Sequence, residues 1–216
     1  MNIENKTILI TGANRGIGRA LVDEALRRGA KRVYAGTRSG ALQNADERVT
    51  PVTLDVTNAA LIQDAVENVE SLDVLINKAG VDLHDDLSDR AGIERHLAVN
   101  LFGTHGVTQA FLPLLAQSRG AIVNVLSLAA LAGVPFSPAY SISKAAALSL
   151  TQSLRALWAG QGRECSCHFR WPGGYRYDQW PRYTEGLSRV RRASHFRGSG
   201  ERRGGYLSRS HVCIHR

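Results

Sequence analysis

The sequence predicts an α/β fold in one domain, a doubly wound parallel sheet with helices over both faces. Three observations carry this. Short β-branched runs alternate with longer amphipathic stretches through the first 160 residues. The short runs are apolar throughout, as strands covered on both faces are, whereas a half-exposed strand alternates. A glycine-rich turn joins the first run to the first amphipathic stretch, and strand, tight turn and helix in that order open a βαβ unit.

Thr7-Ile8-Leu9-Ile10-Thr11 is the first strand. Ile17, Leu21, Ala25 and Leu26 then recur at helical spacing up to Gly29, a C-cap residue. Residues 32–37 form a second strand and 49–54 a third. A helix over 59–69 starts at the capping residue Asn58 and puts Leu61, Ile62, Ala65, Val66 and Val69 on one face. A fourth strand spans 72–76. Helices follow over 87–99 and 101–117, then a fifth strand over 121–126 and a last helix over 139–159.

The turn reads Thr11-Gly12-Ala13-Asn14-Arg15-Gly16-Ile17-Gly18. Its spacing is G-x-x-x-G-x-G, not the commoner G-x-G-x-x-G. Glycines let the backbone approach a pyrophosphate, and the free N–H groups and dipole of the following helix stabilise its charge. A dinucleotide site for NAD(H) carries an acid at the end of the second strand to hold the ribose 2′-hydroxyl. Here that strand ends Gly36-Thr37-Arg38. Arg38, with Arg15 in the turn, suits a 2′-phosphate, so NADP(H) is expected ahead of NAD(H).

Tyr140-Ser141-Ile142-Ser143-Lys144 sets a phenol and an ammonium four residues apart on one helix face. A phenol titrates near pH 10, and a nearby cation brings it down towards neutrality. Ser127 ends the fifth strand at the edge where ligands bind in such sheets. Asn100 falls between two helix patterns, and Asn77-Lys78-Ala79-Gly80 follows the fourth strand.

With T-G-x-x-x-G-x-G, N-x-A-G, Asn100, Ser127 and Y-x-x-x-K in order, residues 5–160 resemble the short-chain dehydrogenase/reductase family, whose fold is Rossmann-like. The resemblance implies an oxidoreductase that interconverts a carbonyl and an alcohol. Tyr140 is the implied general acid and Lys144 lowers its pKa and binds the nicotinamide ribose. Ser127 polarises the substrate carbonyl with Tyr140, and Asn100 positions a water that links Lys144 to solvent. Gly12, Asn14, Arg15, Gly16, Ile17 and Gly18 would hold the cofactor, with Arg38, with Asp55 and Val56 at the adenine, and with Asn77, Ala79 and Gly80 along the cleft. The resemblance also implies a homodimer or homotetramer paired through the helices over 101–117 and 139–159. Lys78 departs from the N-N-A-G usual in the family, and Leu126 replaces a small residue. His84, Asp85, Asp86, His96 and His105 have no metal-ligand spacing and are expected on the solvated surface.

The tail differs. Residues 1–160 hold 15 Lys plus Arg and 15 Asp plus Glu, whereas residues 161–216 hold 12 Arg, no Lys and 4 acids, the whole +8 excess. All three cysteines lie there too. The reading expects no strand after residue 160, only an Arg-rich, irregular, disordered tail in place of the family's last strands and substrate loop. Codons for Glu164 to Asp178 read one base later can give V-x-V…G-P-G-G-I-D-T, the sixth strand and Pro-Gly turn of the family. This points to a frameshift near residues 160–164. The rival readings are an inactive truncated domain that at most binds NADP(H), a metal fragment at Cys165-x-Cys167-His168 lacking a fourth ligand, and a basic nucleic-acid-binding tail with Trp171, Tyr175, Tyr177 and Trp180. No 18-residue apolar run exists and the first six residues lack a signal pattern, so a cytoplasmic protein is expected; the small-molecule carbonyl or alcohol substrate is what the resemblance implies.

Overall fold

In the computed structural model, described over residues 2–40, 46–158 and 164–170, six strands form one sheet. They are β1 (Thr7–Thr11), β2 (Arg32–Thr37), β3 (Val49–Thr53), β4 (Val74–Asn77), β5 (Ala121–Ser127) and β6 (Glu164–Arg170). Their order is β3-β2-β1-β4-β5-β6, with every pair parallel. The chain winds outward from β1 to β3 and then returns to the other side of β1. The order therefore reverses between β1 and β4, where the loops at the strands' carboxyl ends part and leave a crevice.

Alternate strand residues feed two cores. Ile8, Ile10, Val33, Ala35, Val74 and Ile76 pack with Leu21, Val22 and Ala25 of α1 (Gly16–Arg27). Leu9, Leu75 and Ile122 point the other way, to α2 (Ala59–Glu67), α4 (Thr104–Ser118) and α5 (Pro138–Trp158) through Ile62, Phe111, Leu115, Leu154 and Trp158. With both faces covered, even β1 is buried at all five positions. Asn58 caps α2 as the sequence predicts, its Oδ1 accepting from the Ala60 and Leu61 N–H groups. Gly29 takes φ +79 just past α1, the left-handed stop a glycine allows.

Three elements differ from the sequence reading. The two helices expected over 87–99 and 101–117 are one continuous helical run, because α3 (Arg90–Leu97) passes through a π-helical turn (Ala98–Gly103) into α4. Its start is later than expected: Leu87 adopts φ +64, and the Asp89 carboxylate then caps the Ala91 N–H at 2.8 Å. The fourth strand begins two residues late, at Val74.

The third difference is β6. Residues Glu164–Arg170 pair in register with Ala121–Ser127 along their whole length, although no strand is expected there. Without β6, the N–H and C=O groups of β5 would form an open edge. Cys165, Cys167 and Phe169 fall at period two, the strand signal that the cysteine-based readings pass over. Cys165 is buried, and its carbonyl accepts from Arg155 Nε of α5 at 2.9 Å. The tail readings that depend on residues 171–216 lie outside the described residues. Among the described residues, no helix is long and apolar enough to cross a membrane.

At the C-cap of α4, Arg119 sits in the left-handed region at φ 52, ψ 41, where a Cβ costs free energy. Arg119→Gly is expected to stabilise the protein by about 0.5–1 kcal/mol. The check is a higher urea midpoint at an unchanged m-value.

Candidate active site

The crevice is built around the ends of β1 and β4. Thr11, the last residue of β1, accepts on Oγ1 from the Lys78 and Ala79 N–H groups, both at 2.9 Å. This one hydroxyl fixes the loop after β4 against the glycine turn. The turn leaves no room for side chains where it folds back. A Cβ on Gly18 would lie 2.0 Å from the Gly12 carbonyl oxygen, and one on Gly12 would lie 3.0 Å from Ala79 Cα. At the tip, Asn14, Arg15 and Gly16 are exposed, and a Cβ on Gly16 would meet nothing within 4 Å. Arg15 is the N-cap of α1, no side chain caps the helix, and its first turn has no acid. A helix start with no side-chain cap, behind an open glycine tip, fits a pyrophosphate. Ile17 serves differently, half-buried against the core beneath α1.

Arg38 is exposed beyond the end of β2. Asp55, beyond β3, accepts from the Thr57 N–H and hydroxyl, and these bonds, helped by the charge of Arg38, hold its carboxyl below the usual range. Val56 is buried and packs against Gly103, where a Cβ would come within 2.7 Å of it. Asn77 faces into the protein: its Nδ2 donates to Thr108 Oγ1 and Asn124 Oδ1, and Asn124 in turn donates to Thr151 of α5. That buried ladder ties β4 and β5 to α4 and α5.

Tyr140 and Lys144 sit on α5. Lys144 is 6% exposed, and its Nζ lies 5.6 Å from the Tyr140 ring centroid and donates to the Val125 carbonyl of β5. Burial, then the charge of Lys78, pushes its pKa from 10.5 down to about 8, and Asp82 works in the opposite direction. Lys78 itself reaches the Gly12 carbonyl at 3.4 Å. Asn100 lies in the π-helical turn, fully buried. Its Oδ1 accepts from Val81 N–H, and its Nδ2 donates to Val81 O and to Ser143 Oγ. A Cβ on Gly80 would lie 2.9 Å from Asn100 Oδ1 and 3.5 Å from Lys144 Nζ, so these three residues meet at one point. Ser127 closes β5, its Oγ accepting from the Ala129 N–H. Among the described residues nothing accepts its own proton.

Two expected surface residues are not on the surface. Asp85 is half-buried and accepts from the Ala139 N–H in the first turn of α5. His96 is fully buried, its ring edge-on to Tyr140 at 6.4 Å between centroids. His84, Asp86 and His105 are exposed as expected. The sequence reading also assigns no role to Thr11, Ser143 or Asn124. Thr11 opens the glycine motif and Ser143 stands within Y-x-x-x-K, whereas Asn124 is a polar residue within an apolar strand, a signal visible in the sequence.

A glycine turn at the switch point, with a buried lysine one helical turn beyond a tyrosine, defines an α/β oxidoreductase. The chain belongs to the short chain dehydrogenase family, whose family model matches residues 6–175. It is 36% identical over 176 residues to 2-(S)-hydroxypropyl-CoM dehydrogenase 3 of Xanthobacter autotrophicus, covering 74% of this chain and 68% of that protein. It is 34% identical to dehydrogenase/reductase SDR family member 6 of Rattus norvegicus, covering 76% and 70%. Among solved structures, it matches a short chain dehydrogenase from Burkholderia cenocepacia in complex with NADP at TM-score 0.73 and 37% identity, covering 78% and 72%. A family member from Burkholderia phymatum in complex with NAD matches at TM-score 0.70 and 28% identity, covering 79% and 66%.

Two outcomes follow from this geometry. Gly18→Ala forces its methyl into backbone and is expected to destabilise the protein by about 2–4 kcal/mol, measured by urea unfolding. Lys144→Met removes a buried cation and is expected to stabilise it by about 1–3 kcal/mol at pH 7. The sign follows from linkage: Lys144 titrates near 8 folded against 10.5 unfolded, so the unfolded chain binds more protons and wild-type stability rises from pH 8 to 10.5. The variant should lose that rise, seen as a flatter curve of melting temperature against pH.

Proposed function

We propose that the chain is an NADP(H)-dependent oxidoreductase interconverting a carbonyl and an alcohol, with Tyr140 as general acid and base. The observation that carries this is the buried Lys144 ammonium beside the Tyr140 ring and Gly80, at the carboxyl edge of the sheet. When bound, the nicotinamide supplies or accepts the hydride. The protein's own residues manage the proton. Tyr140 protonates the carbonyl oxygen, and the cation of Lys144 stabilises the phenolate left behind. Ser127 Oγ, already satisfied as an acceptor, donates a hydrogen bond to the same oxygen as charge develops there and keeps its proton. A lysine near pKa 8 exchanges protons readily at neutral pH, and Asn100 supports its link to solvent.

The preference for NADP(H) rests on Arg38 and Arg15 at the exposed cleft and on β2 ending without an acid. The matched structures of the family include both NADP and NAD complexes. A homodimer or homotetramer through α4 and α5 accords with the exposed Phe102, in the π-helical turn that leads into α4, and with the exposed Leu157 of α5. The segment beyond about residue 162 is read as frame-shifted relative to the family, and resequencing the codons for residues 155–180 decides it. A missed or extra base restores the family's carboxyl third, whereas an unchanged reading makes the shift real and residues 1–160 the relic of such an enzyme. A domain that only binds NADP(H), or a basic module that binds nucleic acid, is not favoured by the assembled Tyr140–Lys144 site.

The test is NADPH oxidation with a panel of ketones and aldehydes. Tyr140→Phe is expected to lose about 10²-fold or more in kcat while binding NADPH as the wild type does. Turnover retained in that variant removes Tyr140 from the proton transfer.

A further inference from the structure

Resting on the Tyr140 reading above, we propose that His96 is a positioning residue for this reaction. It holds the segment of residues 81–88 in place beside Tyr140. A buried imidazole costs free energy unless both nitrogens are paired, and leucine would fill the same space without that cost. Here both are paired. Nδ1 lies 2.7 Å from the Gly92 carbonyl, which can only accept, so Nδ1 carries the proton. Nε2 is then the free acceptor, and the Leu83 N–H donates to it at 3.0 Å. The ring edge contacts Tyr140. One side chain therefore joins three elements: α3 through Gly92, the irregular segment after β4 through Leu83, and the first turn of α5 through Tyr140.

Other contacts hold the same segment from its ends. Asn100 holds Val81, Ser137 Oγ donates to the Asp82 carboxylate and the Leu83 carbonyl, and Asp85 accepts from Ala139 N–H. Leu83 and Leu87 are left exposed, an apolar border on the segment that adjoins the tyrosine. The bond from Leu83 to His96 is the tie from the interior, and it sets where that border stands relative to the phenol.

The test separates the ring's acceptor from its bulk. His96→Gln can present an amide oxygen at about the reach of Nε2. His96→Asn reaches Gly92 but not Leu83, and His96→Leu makes neither bond. Hydrogen exchange at the Leu83 amide should quicken about tenfold in His96→Asn and His96→Leu, the net worth of one hydrogen bond, and stay near wild type in His96→Gln. In the same two variants the KM for a carbonyl substrate should rise about threefold to tenfold, with NADPH affinity unchanged. Unchanged exchange in both, or faster exchange with an unchanged KM, overturns the proposal. So does a His96→Gln variant that behaves like His96→Leu. If His96→Leu does not fold, the Gln and Asn pair carries the comparison. A wild type that reduces no carbonyl defeats the oxidoreductase reading instead, and the exchange pattern still decides whether His96 holds Leu83.

Discussion

The carboxamide of Asn100 holds the two halves of the site together. It pairs with both backbone groups of Val81, as a neighbouring strand would, and donates to Ser143 on the helix that carries Tyr140 and Lys144. A group that is fully buried and fully paired in this way has little freedom, and low local dielectric makes each of its bonds costly to break. The π-helical turn around it follows from the same demand. Widening the helix by one residue at that point lets the side chain reach across instead of along the helix, and such turns recur at functional sites. Gly80 follows too, because any side chain there would strike the carboxamide and crowd the ammonium of Lys144.

Around that clamp the protein accepts local costs. A buried cation is held off its ordinary pKa by burial and by Lys78, and it is compensated only in part by the Val125 carbonyl and by Asp82. Asn77 leaves its Oδ1 buried without a partner among the described residues, while its amide feeds the Asn124–Thr151 ladder. Such groups would weaken a core chosen for stability alone. Lys144 and Asn77 lie on the side of the sheet that faces α4 and α5, where the proposed site stands and where enzymes trade stability for a pre-set geometry.

Much of this is written in the sequence, for reasons that can be named. Strands covered on both faces are apolar throughout, which makes β1, β2 and β5 plain to read. The glycines of the turn are dictated by contacts a Cβ cannot survive, and the Tyr140–Lys144 spacing follows from helix geometry. What the sequence hides depends on neighbours distant in the chain. β6 carries only the weak period-two signal of Cys165, Cys167 and Phe169 and takes its stability from pairing along the edge of β5. The break expected at Asn100 disappears because a π turn keeps both flanking helices in one run. His96 reads as a surface histidine because nothing near it in the chain shows that Leu83 and Gly92 will complete its ring.

The proposed NADP(H) preference is tested most directly by a fluorescence titration of wild type and Arg38→Ala with NADPH and NADH. NADPH is expected to bind at least about tenfold more tightly to wild type, from charge-assisted bonds to the 2′-phosphate, with that ratio collapsing in Arg38→Ala. Binding of neither nucleotide, or tighter binding of NADH, would contradict it.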